Sequence, residues 1–392
     1  MSSIRKVGEG RAARFEARWR TPEGGDRRKR FRRERDARAH LAAVEGALVG
    51  GTYVDAAAGK IAFREVAEQW RAAQVHRPTT RAHVETMLRR HAYPTLGDRP
   101  IGAIRPSEVK AWVRSMSEVL APSTVAVVHG FVSSVMKGAV ADGLIPGNPC
   151  AGVSLPKPAP VLVEPLTTEQ VEAIAAAMPE RQRAAVWLAA GTGMRQGEVY
   201  GLTVGRVDFL RRTVRVDRQL VTVPGRAPFL GPPKTTASHR TIPLPQVVVD
   251  VLAAHLAAFP PHEQAVPVVL AGGRESSESV GLMFTTAAGK PIRRTSFAEV
   301  WRAAVAAAGA PAGTGMHALR HYYASLLIRH GESVKTVQAR LGHATAAETL
   351  DTYAHLWPDS DDRTREAIDG VLGGSAAAGG SSVAIGHGAT RP

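Results

Sequence analysis

The sequence predicts a mixed, mainly α-helical protein: a small α+β unit at the N-terminus, a helical bundle, and a larger, mainly helical α+β unit with a small antiparallel sheet. Three observations predict it. The chain of 392 residues is long enough for two or three domains. Apolar residues recur at helical spacing over much of it, whereas short alternating runs are confined to residues 14–31 and 213–243. A proline-rich segment, residues 155–160, separates the second part from the third.

Residues 1–55 form the first predicted unit. Two alternating runs joined by a glycine-rich turn, residues 14–19 and 28–31, predict a pair of strands, and the alanine-rich residues 36–49 predict a helix. Residues 1–50 carry 14 Lys/Arg against 7 Asp/Glu, a local net charge of +7. This charge favours a DNA contact; the alternative is a solvated basic face without a specific partner.

Residues 61–155 are predicted to form four helices. Phe63, Val66 and Trp70 lie three and four residues apart and therefore share one helix face. Taken alone, this pattern predicts only a generic helical bundle, and the proline-rich connector that follows should be extended and semi-rigid. The expected N-cap residues of later helices are Thr79 or Thr80, and Ser107.

Residues 165–370 form the largest predicted unit. It should begin with a helix capped at Thr168 and continue with a second helix near residues 183–190. Residues 371–392 are rich in glycine, alanine and serine and are expected to form a flexible tail. The predicted strands of the sheet are residues 213–217, 220–223 and 240–243.

The overall charge restricts the class of partner. A net charge of +15 and a pI near 10.5 indicate a polyanion, either nucleic acid or an anionic membrane surface. Membrane association is not expected, because no apolar run reaches the ~20 residues that span a bilayer, and no basic amphipathic helix with a broad apolar face is evident. Cys150 is the only cysteine, which excludes an internal disulfide or a thiolate metal cluster and fits a reducing cytoplasm.

Two arginines are candidates for holding a phosphate. Arg195 lies in a glycine-flanked turn that enters a helix, and Arg320 lies on a predicted helix. A guanidinium is permanently charged and can bind two phosphate oxygens, although Arg195 could instead be a surface residue capping a helix end. Glu198 follows Arg195 by three residues, on the same helix face, and is expected to orient it.

Two histidines accompany the arginines. His317 precedes Arg320 by three residues, so both face the same way on a helix, and His343 follows Leu341 and Gly342. His317 could assist proton transfer or donate to a phosphate. Either motif alone is weak, since a His-x-x-Arg pair is common and a Gly-His pair can simply end a helix.

Tyr353 is the preferred nucleophile. A free phenol has a pKa of ~10 and needs cationic neighbours to attack at neutral pH. The two arginines, the two histidines and Lys234 could supply that field. Tyr322 and Tyr323 are rivals because they lie beside Arg320, but their helix also carries large apolar residues, so at least one of them should pack in the core.

In their order and spacing, these residues resemble the catalytic signature of the tyrosine recombinases, the phage integrase family. Residues 192–203 resemble its first motif, and Lys234, followed by Ser-x-Arg-x-Ile-Pro at residues 238–243, resembles its hairpin lysine. The resemblance implies that this lysine protonates the leaving 5′ oxygen and that His343 contacts the scissile phosphate. The chain departs from the usual motif at Ala318 and Tyr322, neither of them a catalytic position.

The resemblance also implies a domain plan and a reaction. Residues 1–55 would bind arm sites on DNA, residues 61–155 would bind the core site, and residues 165–370 would be catalytic. Tyr353 would form a 3′-phosphotyrosyl link, and four protomers on two duplexes would exchange strands through a Holliday junction. No metal or cofactor is expected, because arginines would stabilise the transition state and the covalent link conserves the phosphodiester energy.

The setting implied is a phage or mobile-element integrase in the bacterial cytoplasm, at the nucleoid, with double-stranded DNA as its partner and room for a DNA-bending accessory protein. Two alternatives stay open. A type IB topoisomerase shares the nucleophile and the arginines but acts as a monomer on one duplex. A non-catalytic DNA-binding regulator could keep the fold without the chemistry.

Overall fold

The computed structural model describes residues 2–356 except residues 10–12, 23, 52, 56, 160–162 and 271, together with residues 365 and 368–372. The chain divides into two compact units, Met1–Pro160 and Val161–Pro392. The connector at residues 155–159 has no regular secondary structure, in line with the extended segment expected there. Most of the predicted tail, from residue 373 onward, lies outside the described residues.

The first 55 residues contain a three-stranded antiparallel sheet and one helix. The strands are β1 (Ser3–Val7), β2 (Arg14–Arg20) and β3 (Asp26–Phe31), in that spatial order, followed by α1 (Glu34–Val49). The helix packs on one face of the sheet through a small core centred on Ala17. The sequence predicted β2, β3 and α1 but not β1, because the two apolar residues of β1 are three apart and do not alternate.

A helical bundle follows in the same unit. Its core contains the fully buried Phe63 and Met136 and the nearly buried Trp112. A π-helical turn at residues 88–92 joins the third and fourth helices of the chain. The helices are α2 (Phe63–Ala73), α3 (Pro78–Met87), α4 (Tyr93–Leu96), α5 (Pro106–Ser117) and α6 (Pro122–Ala141).

The expected N-caps of α3 and α5 were wrong. Both helices begin with proline, Pro78 and Pro106, so that Arg77 and Arg105 occupy the N-cap positions. Proline suits the first helical position because its φ is already helical and the N–H it lacks would have no partner inside the helix. Thr79, Thr80 and Ser107 therefore lie within the first turn.

Helix α6 also differs from expectation. Within the described part of the chain it is the one helix long and apolar enough to cross a bilayer, with 20 residues and a mean hydropathy of 1.4. This differs from the expectation that the sequence contains no apolar run of that length. Val125, Val128, Val132 and Val135 on this helix are fully buried in the bundle core, so packing accounts for its apolar character.

The second unit is mainly helical. Helix α7 begins one residue earlier than expected, with Thr167 as its cap: the Thr167 hydroxyl accepts from the Gln170 N–H, and the Gln170 side chain accepts from the Thr167 N–H. The helices are α7 (Thr168–Ala177), α8 (Glu180–Thr192), α9 (Gln196–Tyr200), α10 (Gln246–Ala258), α11 (Arg294–Ala307), α12 (His317–Arg329), α13 (Val334–Leu341) and α14 (Ala346–Tyr353).

This unit holds two small sheets instead of one. The first is antiparallel, in the order β4 (Val207–Asp208), β5 (Thr213–Val216), β8 (Arg240–Pro243). The second runs in the order β10 (Glu275–Gly281), β9 (Glu263–Val269), β7 (Phe229–Gly231), β6 (Gln219–Val221). Its β7–β9 pair is parallel, so the expectation of purely antiparallel pairing was incomplete.

The core of this unit positions the cleft described below. Helix α8 packs against both α10 and α12, and its Ala185, Leu188 and Ala189 are fully buried. Small side chains on α8 allow its neighbours to approach closely. The C-terminal end of α8 and the N-terminal half of α12 are thereby held side by side.

Candidate active site

One cleft of the second unit, with a volume of about 330 Å³, collects the predicted catalytic residues. Its lining comes from the start of α9, the loop after β7, the first turns of α12, the turn after α13, and the end of α14. Glu198 is not part of the lining and lies buried behind it. All six predicted catalytic residues line the cleft: Arg195, Lys234, His317, Arg320, His343 and Tyr353.

Arg195 is fixed by its place at the N-cap of α9. Gly193 ends α8 with a φ of +65°, and a Cβ at this glycine would lie 2.6 Å from a ring carbon of Tyr323. Glycine is therefore required both by the conformation and by the close approach. Glu198 accepts the backbone N–H of Arg195 at 2.9 Å and a guanidinium N–H at 3.2 Å, the orienting contact expected from the sequence.

Arg240 is a residue whose role the sequence analysis missed. It lies on β8, is 5% exposed, and donates to both carboxylate oxygens of Glu198, at 2.8 and 3.2 Å. Burial alone would raise the pKa of Glu198, but the hydrogen bonds and charge of Arg240, with those of Arg195, lower it. In the sequence, the Ser-x-Arg spacing after Lys234 could have pointed to Arg240. It does not show that the partner of this arginine is a carboxylate.

Arg240 also links two loops around the cleft. Its guanidinium donates to the Ser238 carbonyl at 3.0 Å and to the Arg340 carbonyl at 2.8 Å. The loop after β7 and the end of α13 are thus tied to one buried ion pair. The same ion pair orients Arg195.

Arg320 is almost completely buried, with 1% of its surface exposed. It donates to the Gly193 carbonyl at 2.8 Å and to the Leu341 carbonyl at 2.6 Å. Burial and the nearby charges of Arg195 and Arg240 lower its pKa to about 9, so it still carries its charge at neutral pH. Two backbone carbonyls therefore hold a desolvated cation at the floor of the cleft.

His343 is buried, and His317 lies nearer the solvent. The Nδ1 of His343 lies 2.8 Å from the Thr349 hydroxyl, and its Nε2 lies 3.8 Å from a carboxylate oxygen of Glu348. Burial and Arg320 lower the pKa of His343 to about 4. Although His317 keeps an exposed surface, partial desolvation and the charges of His321 and Arg320 lower its pKa below the ordinary value as well, so both rings are neutral at pH 7.

Tyr353 closes the other side of the cleft. Its side chain is 1% exposed, and its hydroxyl lies 2.8 Å from Nδ1 of His321. Burial raises the pKa of the phenol to about 12, although Arg320 and Arg195 act to lower it. The cationic field expected from the sequence is therefore present but weaker than desolvation. His321 lines the cleft too and was not among the predicted residues.

The two rival tyrosines lie outside the lining of the cleft, although Tyr323 shares a small apolar core with Tyr353. Tyr323 is 8% exposed and packs in a cluster with Ala324 and Ile328. The Tyr322 hydroxyl lies 3.0 Å from that of Thr168, and the residue packs against the main core. Neither lines the cleft.

Lys234 differs from the arginines in its setting. It is exposed on the loop between β7 and β8, and no salt bridge found among the described residues includes it. Because β7 and β8 belong to different sheets, this loop is not the turn of a hairpin as the resemblance implied. Its lysine nevertheless lines the same cleft as the arginines.

The arrangement suits a phosphodiester. Two guanidinium groups and one ammonium group line a cavity that is also lined by a phenol and neutral imidazoles. The two oriented guanidinium groups, with the exposed ammonium group, can stabilise the charge that develops on a pentacoordinate phosphate. Across the described residues, no group of three or more His, Cys, Asp or Glu side chains is placed to hold a metal ion.

Two family models match the chain. The model described as the phage integrase family matches residues 164–359, and that described as the phage integrase central domain matches residues 63–154. Residues 164–359 contain all the residues of the cleft. The match over residues 63–154 covers the helical bundle.

Named relatives agree with these matches. The prophage phiRv2 integrase of Mycobacterium tuberculosis is 32% identical over 298 residues, which is 75% of this chain and 74% of that protein. The integrase of Mycobacterium phage FRAT1 is 30% identical over 294 residues, covering 74% of this chain and 83% of that protein.

Solved structures agree in fold. The integrase of transposon Tn1549, in complex with transposon right end DNA, gives a TM-score of 0.64 at 22% identity, covering 80% of this chain and all of that one. A lambda integrase dimer bound to a core site gives 0.58 at 17% identity, covering 88% and 93%. With the family matches and the relatives, these likenesses lead to one conclusion: the chain belongs to the phage integrase family, the site-specific recombinases of the tyrosine class.

Proposed function

We propose that this protein cleaves and rejoins double-stranded DNA at specific sites, with Tyr353 as the nucleophile. The observation that carries the proposal is the convergence of a buried tyrosine hydroxyl and two fixed guanidinium groups on one cleft. Arg195 and Arg320 would hold the nonbridging oxygens of the scissile phosphate. Lys234 would protonate the leaving 5′ oxygen, and His317 and His343 would donate to the phosphate.

The reaction needs no external energy source. Attack of Tyr353 on phosphorus would form a 3′-phosphotyrosyl link as the bond to the 5′ oxygen breaks. A 5′-hydroxyl from a partner duplex would then attack the link and restore a phosphodiester. The buried Arg320 and the half-buried Arg195 are already oriented, so the transition-state charge would meet oriented cations instead of water that must rearrange.

The assembly belongs to the proposal too. Strand exchange between two duplexes requires four tyrosines, hence four protomers and a Holliday junction between the two rounds of exchange. Relatives named as phage and prophage integrases support a mobile element as the setting. The bacterial cytoplasm, at the nucleoid, is where the substrate DNA lies, and a DNA-bending protein could bring distant sites together.

The domain roles follow from position and charge. Residues 61–155 would bind the core site together with the catalytic residues 165–370, and residues 1–55 would bind separate arm sites. Arg28 and Lys29 on β3 are exposed cations suited to phosphates, whereas the neighbouring Arg30 is already paired with Glu16. Deleting residues 1–55 should leave core-site binding intact and abolish integration. Integration at the full rate by the truncated protein would contradict the arm role.

Covalent trapping tests the proposal directly. The protein would be incubated with nicked duplexes spanning the attachment region of its element and run on a denaturing gel, beside Tyr353→Phe and, as matched controls, Tyr322→Phe and Tyr323→Phe. We expect a protein–DNA adduct in the wild type and both controls, and none in Tyr353→Phe. Tight binding to the same DNA with no adduct in any protein would favour a non-catalytic regulator. Relaxation of one supercoiled plasmid by a monomer would favour a topoisomerase.

A further inference from the structure

We propose that His321 takes the proton of the Tyr353 hydroxyl as that oxygen attacks phosphorus, which makes it a further catalytic residue. The inference rests on the proposed function and deepens it. The carrying observation is the 2.8 Å separation between the Tyr353 hydroxyl and Nδ1 of His321, both in the lining of the cleft. This distance lies within the range in which a general base acts on its substrate.

The surroundings of His321 suit a proton acceptor. A base must be neutral before it acts, and burial together with the charge of Arg320 lowers the pKa of His321 below its ordinary value. The ring of His317 stands edge-on to it at a centroid distance of 4.7 Å, on the preceding turn of α12. Besides Arg320, the other charged or titratable groups among the described residues that line the cleft with the pair are Arg195, Lys234, His343 and Glu348.

The hydroxyl of Tyr353 must lose its proton in order to attack. This hydroxyl is desolvated and has a pKa of about 12, so at neutral pH it is almost entirely protonated. No water has free access to a side chain that is 1% exposed. The phenol must therefore lose its proton to a protein group at the moment of attack, and the imidazole nitrogen beside it is the group in contact.

The proton balance of the step is complete. The Tyr353 oxygen forms a bond to phosphorus, the bond from phosphorus to the 5′ oxygen breaks, and the phenol proton moves to Nδ1 of His321. Lys234 supplies the proton that the leaving 5′ oxygen takes up. In rejoining, the attacking 5′-hydroxyl gives its proton to the neutral amine of Lys234 and bonds to phosphorus. The bond from phosphorus to the Tyr353 oxygen breaks, and the imidazolium of His321 returns its proton to that oxygen.

The test compares two replacements of His321. In His321→Asn the amide oxygen can occupy the place of Nδ1 and accept the hydrogen bond, but it cannot take the proton; in His321→Gln that contact is lost. His330→Asn, at the exposed end of the same helix, is the matched control. The rate of adduct formation with a nicked duplex would be measured from pH 7 to 9, with melting temperature and DNA affinity as checks on folding.

We expect the wild type and His330→Asn to show a pH profile that is flat from pH 7 and bends downward only as Arg320, with a pKa of about 9, begins to lose its charge. Both His321 variants should cleave about 100-fold more slowly at pH 7. Their rates should rise about tenfold per pH unit, because the phenol must then ionise without help. A His321→Asn variant that cleaves at the wild-type rate would overturn the inference and leave the proposed function standing.

The wild-type profile is a second, independent check. If the wild-type rate itself rose tenfold per unit from pH 7 to 9, the proton would not be going to a neutral imidazole, and the inference would fail even if the variants did not fold. If the wild type formed no adduct at all, the proposed function would fail together with it.

Discussion

The two arginines of the cleft and its lysine are held in opposite ways. Arg320 is buried and donates to two backbone carbonyls, and Arg195 is oriented by Glu198, which Arg240 holds in turn. Lys234 is exposed on a loop that connects two different sheets. Under the proposed roles, the two cations that would hold the phosphate are fixed by buried groups, whereas the group that would deliver one proton lies exposed on a loop.

Removing the buried charge should have the largest effect. Arg320→Ala would delete a cation from the floor of the cleft and leave the Gly193 and Leu341 carbonyls without their donor. We expect adduct formation to fall by a factor of about 10³ or more, with a lower melting temperature because the two carbonyls lose a buried partner. The control is Arg329→Ala, on the exposed end of the same helix. A loss of less than tenfold would show that Arg320 is structural only.

Removing the lysine should slow cleavage less than removing Arg320, and a modified substrate should restore the rate. We expect Lys234→Ala to cleave about 100-fold more slowly with an unchanged melting temperature. A duplex with sulfur in place of the bridging 5′ oxygen should restore most of the rate, because a thiolate leaves without being protonated. Lys290→Ala, an exposed loop lysine outside the cleft, is the control. No recovery with the sulfur substrate would contradict the assigned role of Lys234.

The ion pair behind Arg195 should affect stability more than chemistry. Arg240→Leu would leave the buried Glu198 with one weaker partner, which typically costs about 3 kcal/mol and lowers the melting temperature by roughly 10 °C. We expect cleavage to slow about tenfold, since Arg195 keeps its charge but loses part of its orientation. Arg215→Leu, which removes an exposed partner of Asp217, is the control. Equal melting temperatures for both variants would contradict this account.

The smallest expected effect is a dependence of stability on pH. The pKa of His343 is about 4 in the folded protein, against about 6.5 when exposed, so protonation favours unfolding. The stability this residue contributes is complete above pH 6.5, decreases as the pH falls, and is lost below pH 4. The melting temperature should therefore fall by a few degrees between pH 6.5 and 5. In His343→Asn, which can keep the contact to Thr349, the melting temperature should fall less over the same pH range. A fall as large as that of the wild type would contradict this role of His343.

Most residues of the cleft could be predicted from the sequence, mainly from their resemblance to family motifs and less from the chemistry of the residues alone. Arg195, Arg320 and Tyr353 occur in motifs whose residue types recur in a fixed order, so they could be named before any fold was known. Whether they act as assigned stays a prediction. His321 could not be selected in this way, because it lies 32 positions before Tyr353 and the sequence does not show which side chains meet in the fold.

The predictions from the sequence that were wrong or incomplete have physical causes. The cations near Tyr353 were expected to control its pKa, but burial, which a sequence does not show, outweighs them. Strands β9 and β10 were not predicted, since the Glu-Ser-Ser-Glu-Ser stretch of β10 is almost wholly exposed and lacks apolar alternation. The N-caps of α3 and α5 were predicted at threonine and serine, the residue types that usually cap helices. Each helix instead begins at the proline just before them, so the N-cap lies one residue further upstream.

Gly342 has a consequence for how this cleft can change. It ends α13 with a φ of +66°, and a Cβ there would lie 2.9 Å from the Ala237 carbonyl and 3.2 Å from Arg240. The turn that carries His343 and the loop that carries Lys234 therefore touch backbone to backbone, with no room for a side chain between them. Neither loop can move toward the other without a clash, so under the proposed roles the placement of the proton donor and that of the phosphate contact are coupled.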